Sequence, residues 1–250
     1  MAWATMPATE RVLDTACPHW VQAPPIDLLV NQSGRFYHRR MKPLWDISPP
    51  VGPGAPVFPG DAEYEQQWAW SIGPQCPVNV STLRLSPHTG AHADAPLHYH
   101  PSGASIGAVA LDPYLGPCRV IHAIGRGPLL QWCDLVHAID GRSPLPPRVL
   151  VRTYAQAPDR WDPNLAAFDP RTIEALADRG VRLVGIDTAS IDPADSKDLP
   201  SHHAVLRRDL RVLENLVLDQ IPEGDYELIA LPLKLVAADA SPVRAVLRAL

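Results

Sequence analysis

Long apolar stretches are missing from this 250-residue chain. No run approaches the ~18 residues of a membrane span, so no membrane partner is expected. Cysteine is scarce. The four present (Cys17, Cys76, Cys118 and Cys133) are scattered and form no C-x-x-C pair, which excludes a zinc ribbon and a disulfide framework. A reducing cytoplasm is the compartment this usage fits. Basic charge is also limited. The 22 Lys and Arg are outnumbered by 27 Asp and Glu, giving a net charge of -5 and an isoelectric point near 6.0. With no basic stripe, a nucleic-acid partner is not expected. No basic flank followed by an apolar core opens the chain, so a secretory signal is not expected either. There is no G-x-G-x-x-G, no internal repeat and no low-complexity tract.

What is present is ample apolar material, at 46% of residues, enough for a sizeable core. The 29 prolines are more than twice the usual share of ~5%. They are spread along the chain and read as ordered loops and edge positions. Residues 1–40 differ from the rest: their apolar residues keep no period and their composition is turn-rich. They are expected to be a poorly ordered N-terminal extension, the alternative being an arm that docks on the body. Met41-Lys-Pro-Leu-Trp-Asp-Ile47 begins the domain, expected to span 41–250.

Short strands dominate from Leu44 on. Pro77 to Leu85 shows partial alternation and β-branched residues, while Arg119 to Ile124 and Arg148 to Thr153 are apolar runs bounded by Gly and Pro. Asp169 is a helix cap, Pro170 suits the first helical position, and Gly180 stops that helix. Val181 to Ile186 follows as a strand and delivers Asp187 at its end. Ala204 to Leu213 reads as a second helix, and Tyr226 to Leu231 and Leu233 to Val236 as closing strands. Strands outnumber helices in mixed order, which predicts an α/β or α+β domain with mixed sheets and not a doubly wound one.

The densest chemistry is His88-Thr-Gly-Ala-His92-Ala-Asp94-Ala-Pro-Leu-His98. Three imidazoles and a carboxylate fall within eleven residues, and such groups are the usual ligands of zinc and similar divalent ions. Ser86-Pro87 ends the preceding strand, and Gly90 and Pro96 oppose a helix across the motif. His88, His92 and Asp94 therefore converge on a turn after a strand, a common place for a site. A His-rich surface loop is the bland alternative, but ten histidines in 250 residues do not explain three with an Asp in so short a span. Further ligands must come from elsewhere. The stretch from Asp187 to Glu214 holds Ser190, Asp192, Asp195, His202 and His203. A continuous helix from His202 to Glu214 would separate those two by about 18 Å at ~1.5 Å per residue, so sharing one ion requires the chain to bend between them. Gly103-Ala-Ser105-Ile-Gly107 fits the G-x-S-x-G nucleophile pattern, but it follows His98-Tyr-His-Pro-Ser102, which is no strand, and Ser105 is not expected to be a nucleophile.

The H-x-G-x-H-x-D-x-P-x-H run resembles the signature of the metal-dependent cyclase family of hydrolases. The likeness extends to Leu44-Trp-Asp-Ile-Ser-Pro-Pro50, Pro56-Val-Phe-Pro-Gly-Asp61, Cys76-Pro-Val-Asn-Val80 and Tyr114-Leu-Gly-Pro-Cys-Arg-Val-Ile-His122, which are similar to the bacterial kynurenine formamidase branch. It covers about Met41 to near the C-terminus. The resemblance implies a swivelling β/β/α, cyclase-like single domain, a homodimer and two Zn2+ per subunit, with Mn or Co as alternative ions. It implies His88, His92, Asp94 and Glu214 around one ion, Asp94 and Glu214 bridging to a second that His202 completes, and His98 as catalytic acid/base. Phe58 stands where the branch usually carries a substrate-facing tryptophan; Trp68 and Trp70 are further candidates to cover an aryl ring. The implied reaction is hydrolysis of N-formyl-L-kynurenine to L-kynurenine and formate. Hydrolysis of a cyclic amide such as isatin is the alternative within the family, and a non-catalytic metal- or ligand-binding protein the alternative outside it.

Overall fold

The computed structural model describes residues 26–30, 36–40, 42–141 and 144–250. The chain divides into two compact units, residues 1–41 and 42–250. In the first, β1 (Ile26–Val30) pairs antiparallel with β2 (Phe36–Arg40). The rest of the expected extension lies outside the described residues.

The second unit runs β3 (Leu44–Asp46), β4 (Glu65–Trp70), β5 (Val80–Arg84), β6 (His92–Asp94), α1 (Pro96–Tyr99), β7 (Leu115–His122), β8 (Leu129–Leu130) and α2 (Trp132–Leu135). It continues with β9 (Arg148–Arg152), β10 (Ala167–Phe168), α3 (Pro170–Asp178), β11 (Leu183–Ile186), α4 (Pro200–Arg207), β12 (Arg211–Glu214), β13 (Gly224–Ile229), β14 (Ala240–Pro242) and β15 (Val246–Ala249). Nine strands form one sheet in the order β14-β6-β12-β11-β9-β7-β13-β15-β3. β7, β9, β11 and β12 are mutually parallel at its centre. Antiparallel strands flank them on both sides. This is the expected mixed α/β architecture.

The central strands read as unbroken apolar runs because both faces are covered. Val120 and Leu150 face one core with Leu183 and Leu213, while Ile121, Val149, Val151, Val184 and Val212 face the other. That alternation is the two-residue period of a strand. Ile173 and Leu176 of α3 and Ala204 and Val205 of α4 close the second core. α3 begins as its sequence predicts, with Asp169 accepting a hydrogen bond from the Arg171 N–H at 2.8 Å.

Two elements differ from expectation. The second helix is Pro200–Arg207, not Ala204 to Leu213. Pro200 starts it at the first helical position. Asp209 stops it by adopting φ +51°, and the Leu210 N–H closes the end on the Val205 carbonyl at 3.0 Å. The chain then turns into β12, parallel to β11. Residues 233–236 are not a strand. Their backbone groups are committed to loop contacts: Leu233 N–H to Ser241 Oγ at 2.9 Å, and the Leu235 carbonyl accepting from Gly107 N–H at 3.0 Å.

Candidate metal centre

The sheet register builds the site. β6 pairs with β12 so that His92 lies opposite Glu214 and Asp94 opposite Val212. Gly90 supplies the turn before β6 at φ +67°, where a Cβ would come within 2.6 Å of Val51. Its carbonyl accepts the Nδ1–H of His92 at 2.9 Å. In the neutral ring this leaves Nε2 as a bare lone pair.

That Nε2 lies 3.4 Å from Asp94 Oδ1 and 3.3 Å from Glu214 Oε2. Both His92 Nε2 and Asp94 Oδ1 are buried without a hydrogen-bond partner. A lone pair facing two carboxylate oxygens in a buried site is repulsive unless a cation lies among them. His88 adds a third ring, with Nδ1 3.0 Å from Asp94 Oδ1. The candidate ligand atoms of His88, His92 and Asp94 all lie within 4.8 Å of one another. The residues present thus fit a bound divalent ion.

His202 comes from α4. Its Nε2 lies 3.3 Å from Asp94 Oδ2 and 3.5 Å from Glu214 Oε1. The bend after α4 is what brings His202 to Glu214. His203, one residue on, is exposed. Asp192 holds the other side of the ring: its Oδ2 meets His202 Nδ1 at 2.7 Å. The same carboxylate accepts the backbone N–H groups of Ser201 and His202 at the start of α4. Glu214 Oε1 in turn accepts the Ile191 N–H at 2.8 Å.

The electrostatics are those of an anionic cage. Burial opposes charge on His88, but the adjacent carboxylates of Asp94 and Asp239 outweigh it and push the imidazole up to about 9. Burial likewise opposes charge on His202, and its bonds to Asp192, Asp94 and Glu214 raise it nonetheless. Asp94 is held below the usual carboxylate range: burial works against this, and the imidazoles of His202 and His88 prevail. Glu214 is also lowered, against burial and the Asp94 charge, by His202 and His92.

His98 sits in α1, with its side chain 32% exposed against 4% for that of Glu214. Its ring is 4.3 Å from His88 and 5.8 Å from His202, centre to centre. Nδ1 lies 3.4 Å from Asp239 Oδ2. A cavity of about 350 Å³ opens beside it, lined by His98, Phe58, Trp161, Pro49 and Leu199. Phe58 meets Trp161 edge to face, with ring centres 4.9 Å apart.

Trp68 and Trp70 lie on the β4–β5 hairpin, 60% and 61% exposed, and do not line this cavity; Trp161 does. No periodicity marks Trp161, because a loop places it. Asp187 lines the same cavity, and its carboxylate accepts bonds from Thr153 N–H, Thr153 Oγ–H and Tyr154 N–H, tying the end of β9 to the end of β11. Ser105 donates to the Val236 carbonyl at 2.7 Å. Its flanking Gly103 and Gly107 allow close backbone passage, since a Cβ would come within 2.3 Å of Pro96 and 2.6 Å of Leu235. Asp192 belongs to the carboxylate-rich stretch the sequence flagged. Asp239 carries no local signal.

A family described as putative cyclase matches residues 45–193. A kynurenine formamidase from Paracidovorax citrulli is 72% identical over 207 residues, covering 82% of this chain and 96% of that protein. One from Bordetella pertussis is 67% identical over 211 residues, covering 84% of this chain and all of that protein. Among solved structures, a predicted metal-dependent hydrolase from Bacillus stearothermophilus superposes with a TM-score of 0.69 at 28% identity, over 82% of this chain and 97% of that one. Isatin hydrolase A from Labrenzia aggregata superposes with a TM-score of 0.71 at 22% identity, over 83% and 93%, and shares the fold.

Proposed function

This chain belongs to the cyclase family, in its kynurenine formamidase branch, and we propose that it hydrolyses N-formyl-L-kynurenine to L-kynurenine and formate. The observation that carries this is the buried facing of His92 Nε2 and Asp94 Oδ1, both without partners, beside a cavity with an aromatic wall. His88, His92, Asp94, His202 and Glu214 would hold two Zn2+. Manganese or cobalt would suit the same donors. When bound, such ions acidify water and polarise the formyl oxygen.

The remaining work falls to the chain's own groups. An arylamine leaves poorly as an anion, so its nitrogen needs a proton as the C–N bond breaks. His98 stands at the cavity with Nδ1 turned to Asp239, so Nε2 is the atom that delivers that proton. Phe58 and Trp161 cover the aryl ring and keep bulk water from it. Glu214, fixed by the Ile191 N–H, and His202, fixed by Asp192, keep their donor atoms in place without substrate.

The exposed Trp68, Trp70, Ile72 and Leu83 around the β4–β5 hairpin form an apolar surface of the kind a second copy covers, and a homodimer in the cytoplasm is the assembly we infer. Among the described residues no helix is long and apolar enough to cross a membrane.

The test is direct. Purified protein is assayed with N-formyl-L-kynurenine, formanilide and isatin, following the released arylamine or ring-opened product by absorbance. Formylkynurenine is expected to be turned over best, with activity lost to a chelator and restored by zinc. Preference for isatin, or metal-loaded protein inert on all three, would overturn the reading.

A further inference from the structure

We propose that Asp239 is a positioning residue for His98: its Oδ2 accepts the Nδ1–H of His98 and leaves Nε2 as the proton-carrying atom at the cavity. This rests on the acid/base reading of His98 given above. The distances are 3.4 Å from Oδ2 to His98 Nδ1 and 3.0 Å to His88 Nε2. One carboxylate oxygen thus faces a nitrogen of each ring, and the two rings lie 4.3 Å apart.

The backbone explains why the carboxylate is there. β14 pairs with β6 so that Ala240 lies opposite Asp94. The Asp239 carbonyl accepts the Ala95 N–H at 2.8 Å, and the neighbouring Ala238 carbonyl accepts the Ile106 N–H at 2.9 Å. Ala95 also starts α1, its carbonyl accepting the His98 N–H at 2.9 Å. The backbones of His98 and Asp239 are therefore both tied to Ala95, which fixes the separation from which their side chains reach each other.

The rings of His88 and His202 limit where the His98 imidazole can sit, but ring packing does not choose which nitrogen carries the proton. The nitrogen that carries the mobile proton is set by what the other nitrogen does. A carboxylate at Nδ1 fixes both ring orientation and tautomer, as an acid/base histidine requires. Asp239 touches no reacting atom in this arrangement; it acts through His98.

The competing role is support of His88 alone, as a carboxylate behind a metal-binding imidazole. The experiment separates the two. Asp239→Ala, Asp239→Asn, His98→Ala and the double variant Asp239→Ala/His98→Ala are purified with zinc. Metal content is measured, and kcat and KM are determined on formanilides whose arylamines range from poor to good leaving groups. Asp239→Ala is expected to lower kcat about 10- to 100-fold on a poor leaving group, with KM and metal content near wild type. Asp239→Asn, which keeps an acceptor oxygen, is expected to lose less. The defect should shrink as the leaving group improves, because a better leaving group needs less proton delivery. The double variant should lose little more than His98→Ala, the non-additivity of groups acting as a unit.

Loss of metal in Asp239→Ala or Asp239→Asn, additive losses in the double variant, or a defect independent of the leaving group would each overturn the proposal. Wild-type turnover in His98→Ala would instead remove the acid/base reading on which it rests.

Discussion

The carboxylate of Asp192 meets Nδ1 of His202 at 2.7 Å while the other nitrogen of that ring faces Asp94 and Glu214. The same carboxylate accepts two N–H groups at the start of α4. Helix position and ring orientation are therefore set by one side chain. Asp192→Ala is expected to weaken zinc binding about 10- to 100-fold. Competition titration against a fluorescent chelator measures this; unchanged affinity would show that α4 packing alone orients His202.

His98→Ala should keep its metal and lose turnover about 100- to 10,000-fold, the usual contribution of a positioned acid/base. Metal analysis and kcat on the same preparation decide it. If the metal left with the side chain, His98 would be a ligand, a role its distance from His202 and Asp94 also permits.

Trp161→Ala removes one wall of the Phe58–Trp161 pair. A ring covered on one side only binds less well, so KM for formylkynurenine is expected to rise about tenfold, the equivalent of roughly 1.4 kcal/mol, with kcat changed far less. Trp68→Ala should leave both constants as they are. Steady-state kinetics on the two variants makes the comparison.

Asp187 gives a pH dependence of stability with a definite sign. Burial raises its carboxyl from the ordinary 3.8 to about 6, against the lowering effect of its bonds from Tyr154 and Thr153. The folded state thus holds this proton where the unfolded state has released it. The contribution is fully present below about pH 4 and is lost as pH rises through 6. Asp187→Asn has no such titration. Urea unfolding of both proteins should show the wild type losing on the order of 2–3 kcal/mol relative to the variant between about pH 4 and pH 7. A constant difference across that range would place the group's pKa at its ordinary value.

Residues 1–40 are proposed to be dispensable. The Bordetella pertussis relative is matched over its whole length by 84% of this chain. Deleting 1–40 should leave formamidase activity and melting temperature intact. A fall of several degrees would assign these residues to the folded body.

Much of the fold was legible because its signals are local. Arg148–Arg152 carries the unbroken apolar run Val149 to Val151 between its two arginines, as a strand covered on both faces does. Asp169, Pro170 and Gly180 bracket α3 by chemistry that acts within four residues. The failure at residues 204–213 has an equally local cause that propensity does not reveal. Asp209 takes a left-handed conformation, a choice an Asp tolerates without announcing it, and the apolar period simply runs on from the helix into β12.

The eleven-residue motif by itself determined the donor chemistry, and its turn at Gly90 with the two-residue period of β6 puts His92 and Asp94 on one face. Which distant groups meet them was decided by tertiary structure alone. Glu214 arrives through the pairing of β12 with β6 and His202 through the turn at Asp209. Asp239 arrives through the pairing of β14 with β6, and Trp161 on a loop. Pairing register and loop course are settled by packing across the whole sheet, and no window of sequence around those four residues contains that information.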